Sequence, residues 1–255
     1  GFRSLVLSQE GEQSPSVITD GLFALLNFVR MEINTLENDN LNIGILAKGA
    51  ELSSLFDKRD GVEHMWKADP KFWPRHAPIL FPCVGESKDG RINIDGAGYS
   101  MGRHGFARHE PFSVVESTNT KVILELKSSK KTRAQFPFEF VFRVGYELID
   151  SSLIQSFEVI NTDGKEIGFQ LGGHPAFAVP FNQDEKYDDY EIVFDTPQTL
   201  ERHLLTDNGL YSGKTRTFLD NNDRISLYYQ LFKEDALVFK NISSKQVWIQ
   251  HKNGG

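Results

Sequence analysis

The sequence predicts an all-β fold, an antiparallel sandwich or barrel, on three observations. Phe138, Phe140, Phe142, Val144, Tyr146 and Leu148 are all apolar, while Glu139, Arg143 and Glu147 fall between them. That is the period of two expected of a half-buried strand. Turn-forming pairs and clusters recur along the chain at Asp60-Gly61, Asp89-Gly90, Asp163-Gly164, Asn208-Gly209 and Asn221-Asn222-Asp223. Helical periodicity is nearly absent, so strands follow one another without the helix alternation of a parallel sheet.

The remaining strands are expected in the shorter runs rich in β-branched or aromatic residues. These are Lys121–Leu126, Ser152–Ile160, Ile192–Phe194, Ile225–Tyr229, Ala236–Phe239 and Val247–Gln250. Twenty phenylalanines among 255 residues provide the apolar area for a sizeable core and favour sheets. Ser128–Arg133 and Asn182–Lys186 are charged stretches that read as solvated loops. No linker divides the chain, and 255 residues suit a single β domain. The domain is expected to run from 31 to 255, beginning at Met31. Residues 1–30 read as an extension: the apolar run Leu22–Val29 follows a polar stretch and has neither the basic start nor the cleavage site of a signal peptide.

The formal net charge is -7, which disfavours nucleic acid and anionic membranes as partners and suits a small-molecule substrate. No run of 18 apolar residues offers a helical membrane span. Cys83 is the one cysteine, so an internal disulfide framework is excluded, and a reducing, cytoplasmic setting is expected. Oligomeric state is left open.

Candidate chemistry concentrates in three segments. His104 lies in Met101-Gly102-Arg103-His104-Gly105-Phe106-Ala107-Arg108, and His174 lies in Gly172-Gly173-His174-Pro175-Ala176-Phe177. Imidazole titrates near neutrality, and the flanking glycines leave room for a ligand, so both are candidates for proton transfer in a β-rich cleft. Arg75 lies in Trp73-Pro74-Arg75-His76-Ala77-Pro78-Ile79-Leu80-Phe81-Pro82, whose three prolines make a stiff, non-helical mount for a guanidinium. Taken singly, each residue is as consistent with a structural role: an ion pair for Arg75, a loop hydrogen bond for His104, a packed imidazole for His174. No metal site is expected, because the His-x-His pair with nearby carboxylate of a cupin-type centre is absent.

Together, in this order and spacing, the three segments resemble the aldose 1-epimerase (galactose mutarotase-like) family, and especially its bacterial LacX-like branch. The resemblance runs from about Met31 to the last residue. It implies a large antiparallel β-sandwich, a supersandwich whose concave face holds a sugar, no metal or organic cofactor, and interconversion of the α and β anomers of a hexose. It further implies that His174 is the general acid toward the ring oxygen and that His104 and Arg75 hydrogen-bond sugar oxygens. Asp235 would be the sugar-binding carboxylate, although it reads equally as a turn residue ahead of a strand. One departure stands out. The family's general-base glutamate, typically in a Glu-Pro segment near the carboxyl terminus, has no counterpart before Gly255. The resemblance therefore implies a sandwich without its C-terminal strands, with an exposed sheet edge. Two alternatives follow: a non-catalytic carbohydrate-binding protein on the same scaffold, or an epimerase of a hexose phosphate, since Arg75, Arg103 and Arg108 offer guanidiniums that match phosphate geometry.

Overall fold

The structure, a computed structural model, describes residues 6–8 and 33–254. It is about 50% strand and 6% helix, and its large sheets are antiparallel, as expected. Two four-stranded meanders form the first half. One runs Ile33–Glu37, Leu41–Leu46, Glu51–Asp57 and Val62–Glu63. The other runs Ser113–Ser117, Lys121–Lys127, Phe140–Ile149 and Ser152–Asn161, each strand pairing with the next. The alternation read in the sequence is realised: Phe140, Phe142, Val144, Tyr146 and Leu148 are at most 5% exposed, and the residues between them are not buried.

Both meanders contribute to one apolar cluster, which joins Leu36, Ile43 and Ile45 to Val122, Leu124 and Phe142. A buried hydrogen bond ties them as well, from the Tyr146 hydroxyl to the Ala50 carbonyl at 2.7 Å. A third sheet has Tyr190–Leu205 at its centre, with Tyr211–Ser226 on one side and Val247–His251 on the other. It builds a second cluster from residues such as Tyr190, Ile192, Phe194, Leu227 and Phe239. Phe177 packs against both clusters.

Three local expectations are corrected. Asn221-Asn222-Asp223 does not end a strand but lies inside Tyr211–Ser226. Asn221 adopts a φ of 42°, its N–H donates to Thr199 Oγ1 at 3.1 Å, and the pairing register shifts around Gln198 and Asn222. The turn chemistry is spent on a bulge rather than a reversal. Ala236–Phe239 is not a strand and makes only an isolated bridge between Val238 and His203, while the run from Ile225 leaves its strand at Ser226. Within Ser128–Arg133, the residues Lys130–Arg133 form a single helical turn. Ser129 and Thr132 cap each other there, with Thr132 fully buried and its charged neighbours outside.

The expected extension over residues 1–30 lies outside the described residues apart from Val6–Ser8, which pairs in parallel with Ala176–Ala178. Among the described residues, no helix is long and apolar enough to cross a membrane.

Candidate functional site

The three chemical segments are brought together by backbone hydrogen bonds. Ile79–Leu80 pairs antiparallel with Gly172–Gly173, the His174 N–H donates to the Pro78 carbonyl at 3.1 Å, and the Ala176 N–H donates to the His76 carbonyl at 2.8 Å. The Arg75 and His174 segments therefore lie side by side. The His104 loop is pinned to the same strip further along. Phe106 and Ala107 both donate to the Phe81 carbonyl, at 3.0 and 3.1 Å. Gly105 sits against that carbonyl at a φ of 73°, where a β-carbon would overlap it. Only glycine satisfies both the dihedral and the close approach.

This lacing sets the imidazoles of His104 and His174 edge to face, with ring centroids 5.6 Å apart. Trp73 also packs on His174, its ring tilted by 39° at a centroid distance of 5.1 Å. His104 is held by a reciprocal pair: its N–H donates to the Gly85 carbonyl at 2.8 Å, and the Gly85 N–H donates to its Nδ1 at 3.0 Å. An imidazole whose Nδ1 accepts carries its neutral-state proton on Nε2, which fixes the tautomer. The loop holds His104 at a φ of 66°, in the left-handed region.

Arg75 approaches from the neighbouring segment. Its Nη1 lies 3.4 Å from both Glu51 Oε2 and the Arg108 carbonyl, and its Nη2 is 3.2 Å from His109 Nδ1. Glu51 is only 4% exposed, and its other oxygen accepts the N–H groups of His76 and Ala77 at 2.7 and 3.1 Å. One buried carboxylate thus fixes the backbone beside Arg75 and its side chain together. Arg108 donates to the Arg103 carbonyl at 2.7 Å, while its buried Nε has no hydrogen-bond partner among the described residues.

These groups are electrostatically unbalanced. Burial lowers the pKa of His104, and His174, Arg108 and Arg103 lower it further, to about 4. Burial also lowers that of His174, with Arg108 and Arg103 adding to the effect. Its own backbone pulls the other way, although its buried Nδ1 makes no hydrogen bond among the described residues. Burial, Arg75 and Arg103 lower the Arg108 pKa, and Glu51 and Glu86 only partly oppose them. Both imidazoles are therefore mainly neutral at pH 7.

Asp235 stands apart from this constellation. It is exposed, at a φ of 69° in a turn where its N–H donates to the Phe232 carbonyl, and its carboxylate accepts the Ala236 N–H at 2.6 Å. No hydrogen bond or ion pair joins it to Arg75, His104 or His174 among the described residues. The link is indirect: Phe232 and Leu237 on its turn, and Gly173 and Pro175 beside His174, line one cavity of about 440 Å³. Trp73, Glu51, Arg108 and Gly85 were not singled out from the sequence for these contacts. Trp73 was legible as an aromatic beside Arg75, whereas nothing local marks Glu51 as buried. Among the described residues, the one group of side chains close enough to share a cation is Asp57, Asp60 and His64, and Arg59 already engages both Asp57 oxygens.

The fold and the paired histidines define a β-sandwich protein of the aldose epimerase class. A family model described as aldose 1-epimerase matches residues 32–252, and the chain belongs to that family. It is 32% identical over 233 residues to the plasmid and the chromosomal forms of protein LacX of Lactococcus lactis subsp. lactis, covering 86% of this chain and 76% of each relative. A galactose mutarotase related enzyme from Lactobacillus acidophilus superposes with a TM-score of 0.82 at 33% identity, over 87% of this chain and 74% of that one. A galactose mutarotase-like protein from Lactobacillus casei gives a TM-score of 0.82 at 31% identity, over 88% and 77%.

Proposed function

We propose that the chain is a hexose 1-epimerase, interconverting α and β anomers at the surface formed by His174, His104 and Arg75. The observation that carries this reading is the 5.6 Å ring contact between the two histidines, near Arg108, whose carbonyl lies 3.4 Å from Arg75 Nη1. Anomer exchange opens the cyclic hemiacetal. The C1 hydroxyl gives its proton to solvent water, the bond from C1 to the ring oxygen breaks as that oxygen takes a proton from the acid, and the aldehyde turns about C1–C2 before the steps reverse and return both protons. His174 is the proton donor to the ring oxygen. His104, fixed with its proton on Nε2, donates a hydrogen bond to a sugar oxygen, and Arg75 steadies developing negative charge. Trp73 offers an apolar face against which a sugar ring packs. Asp235 lies on the turn whose Phe232 and Leu237 line the adjoining cavity, and in this reading its carboxylate accepts sugar hydroxyls there. A single cysteine suits a cytoplasmic setting for this reaction.

The test is exchange between the anomers of glucose and galactose, followed by polarimetry or NMR exchange spectroscopy. Acceleration over buffer is expected, and His174→Gln should reduce kcat by about 10²–10⁴-fold, the usual contribution of a general acid. Full activity in that variant refutes the acid assignment. Sugar binding without acceleration rejects catalysis and favours a carbohydrate-binding role on the same scaffold.

A further inference from the structure

We infer that Tyr146 and Gln155 are positioning residues for Arg75, because their hydrogen bonds hold the backbone bend on which the Arg75 seat is built. The inference rests on the reading of Arg75 as a group that meets the sugar. Two polar exceptions interrupt the core-side faces of neighbouring strands. On Phe140–Ile149 the core-side residues other than Tyr146 are purely apolar, and on Ser152–Asn161 Gln155 stands between Leu153 and Phe157, which pack against the core. Tyr146 and Gln155 are directly opposite each other in the pairing of these strands. Gln155 Nε2 donates to the Tyr146 hydroxyl at 2.7 Å, and that hydroxyl donates to the Ala50 carbonyl at 2.7 Å. A polar group on an apolar face is costly unless it is hydrogen-bonded, and this pair spends its bonds on one backbone carbonyl.

That carbonyl belongs to the bend Gly49-Ala50-Glu51, where the two acceptors of Arg75 Nη1 meet. One is Glu51 Oε2, on the residue after Ala50, and the other is the Arg108 carbonyl, each 3.4 Å from Nη1. The Arg108 carbonyl rests against Gly49, 2.9 Å from where a β-carbon would stand. Ala50 is fully buried at a φ of 47°, a left-handed conformation that an alanine keeps only where its surroundings impose it. Its N–H reaches the Ala47 carbonyl at 3.4 Å, so the shorter bond from Tyr146 is the firmer hold on this residue. Burial raises the Tyr146 pKa and the Glu51 charge adds to the rise, while the bond from Gln155 opposes it; the phenol therefore stays a donor at neutral pH. Gln155 also borders the acid segment, its Oε1 lying 3.7 Å from the place of a β-carbon on Gly173, next to His174. A loosened bend lets the guanidinium leave the place where negative charge develops, which costs more in the transition state than in the ground state.

The experiment compares the whole chain with Tyr146→Phe and Gln155→Leu. Amide hydrogen exchange at His76 and Ala77, whose N–H groups Glu51 Oε1 accepts, is followed by NMR, with kcat and KM for anomer exchange measured beside it. In Tyr146→Phe both amides should exchange about tenfold faster, the weight of one hydrogen bond, while those of Tyr190–Leu205 keep their rates. The same change should lower kcat about tenfold and leave KM within about twofold. Gln155→Leu alters an exposed side chain and carries the test if Tyr146→Phe fails to fold; it should give the same pattern at about threefold. In an Arg75→Lys background, Tyr146→Phe should reduce kcat no further, since the group it positions is already lost. Unaltered exchange at His76 and Ala77, a rise spread evenly over the fold, an unaltered kcat, or losses that add in the double variant overturn the inference. With no acceleration by the wild-type chain the proposed reaction falls, and amide exchange alone then decides the positioning role.

Discussion

Removing the Glu51 carboxylate should unfold the site from beneath. Glu51→Ala deletes the acceptor of two backbone N–H groups, those of His76 and Ala77 at 2.7 and 3.1 Å, and the partner of Arg75 at 3.4 Å. Each hydrogen bond to a charged group contributes about 1.5–3 kcal/mol, and the two donors would be left without a partner inside the fold. The long contact to Arg75, whose side chain is 23% exposed, adds little. The expected loss is about 3–5 kcal/mol, in line with removal of one member of a buried charged group. Glu51→Gln keeps a carbonyl oxygen for both N–H groups and gives up only the charge, so it should cost about 1–2 kcal/mol. Urea unfolding at pH 7, followed by far-ultraviolet circular dichroism and tryptophan fluorescence, separates the two. A loss below about 1 kcal/mol in Glu51→Ala would refute the view that this carboxylate anchors the Arg75 segment. Equal losses in both variants would show that charge, not the acceptor geometry, is what matters.

Two further outcomes are expected. Gly105→Ala forces a β-carbon against the Phe81 carbonyl at positive φ and should cost well over 2 kcal/mol or prevent folding, read from the urea midpoint or soluble yield; wild-type stability would refute the packing described for the His104 loop. The folded-state pKa of His104, about 4 against a usual value near 6.5, means that the unfolded chain binds more protons between those values. Stability should therefore be full above about pH 6.5 and fall as pH drops toward 4, with His104 contributing on the order of 3 kcal/mol at most, less what solvent screens. The loss should be smaller in His104→Asn, and parallel pH profiles for the two proteins would contradict it.

Much of the fold was legible because strand burial is a local, alternating property. The run from Phe138 to Leu148 announces which side chains face inward, and the structure buries those residues. Turn chemistry was less decisive, since Asn221 serves equally to reverse a chain or to bulge one, and only the partner strand at Gln198 and Thr199 selects the bulge. Among the site residues, Arg75, His104 and His174 stood out because glycine and proline around a reactive side chain are costly without a positional reason. The contacts that complete the arrangement are long-range. Glu51 reaches 25 residues ahead to His76, and Gly85 is 19 residues from His104. No window of sequence displays such pairs. Asp235 was read from a resemblance, and its exposed turn meets the histidine segment only across a shared cavity.

Phe177 has a bearing on how this protein could be altered. It lies three residues beyond His174 and packs against both apolar clusters, so the chain that carries the imidazole is also the seam between two interiors. A library aimed at new sugars would do best to randomise Arg103, an exposed side chain that lies over the backbone of the Gly209 turn, together with that turn. Changes at Phe177 would disturb both interiors at once and shift the histidine with them, trading solubility for selectivity at the one position where the two cannot be tuned separately.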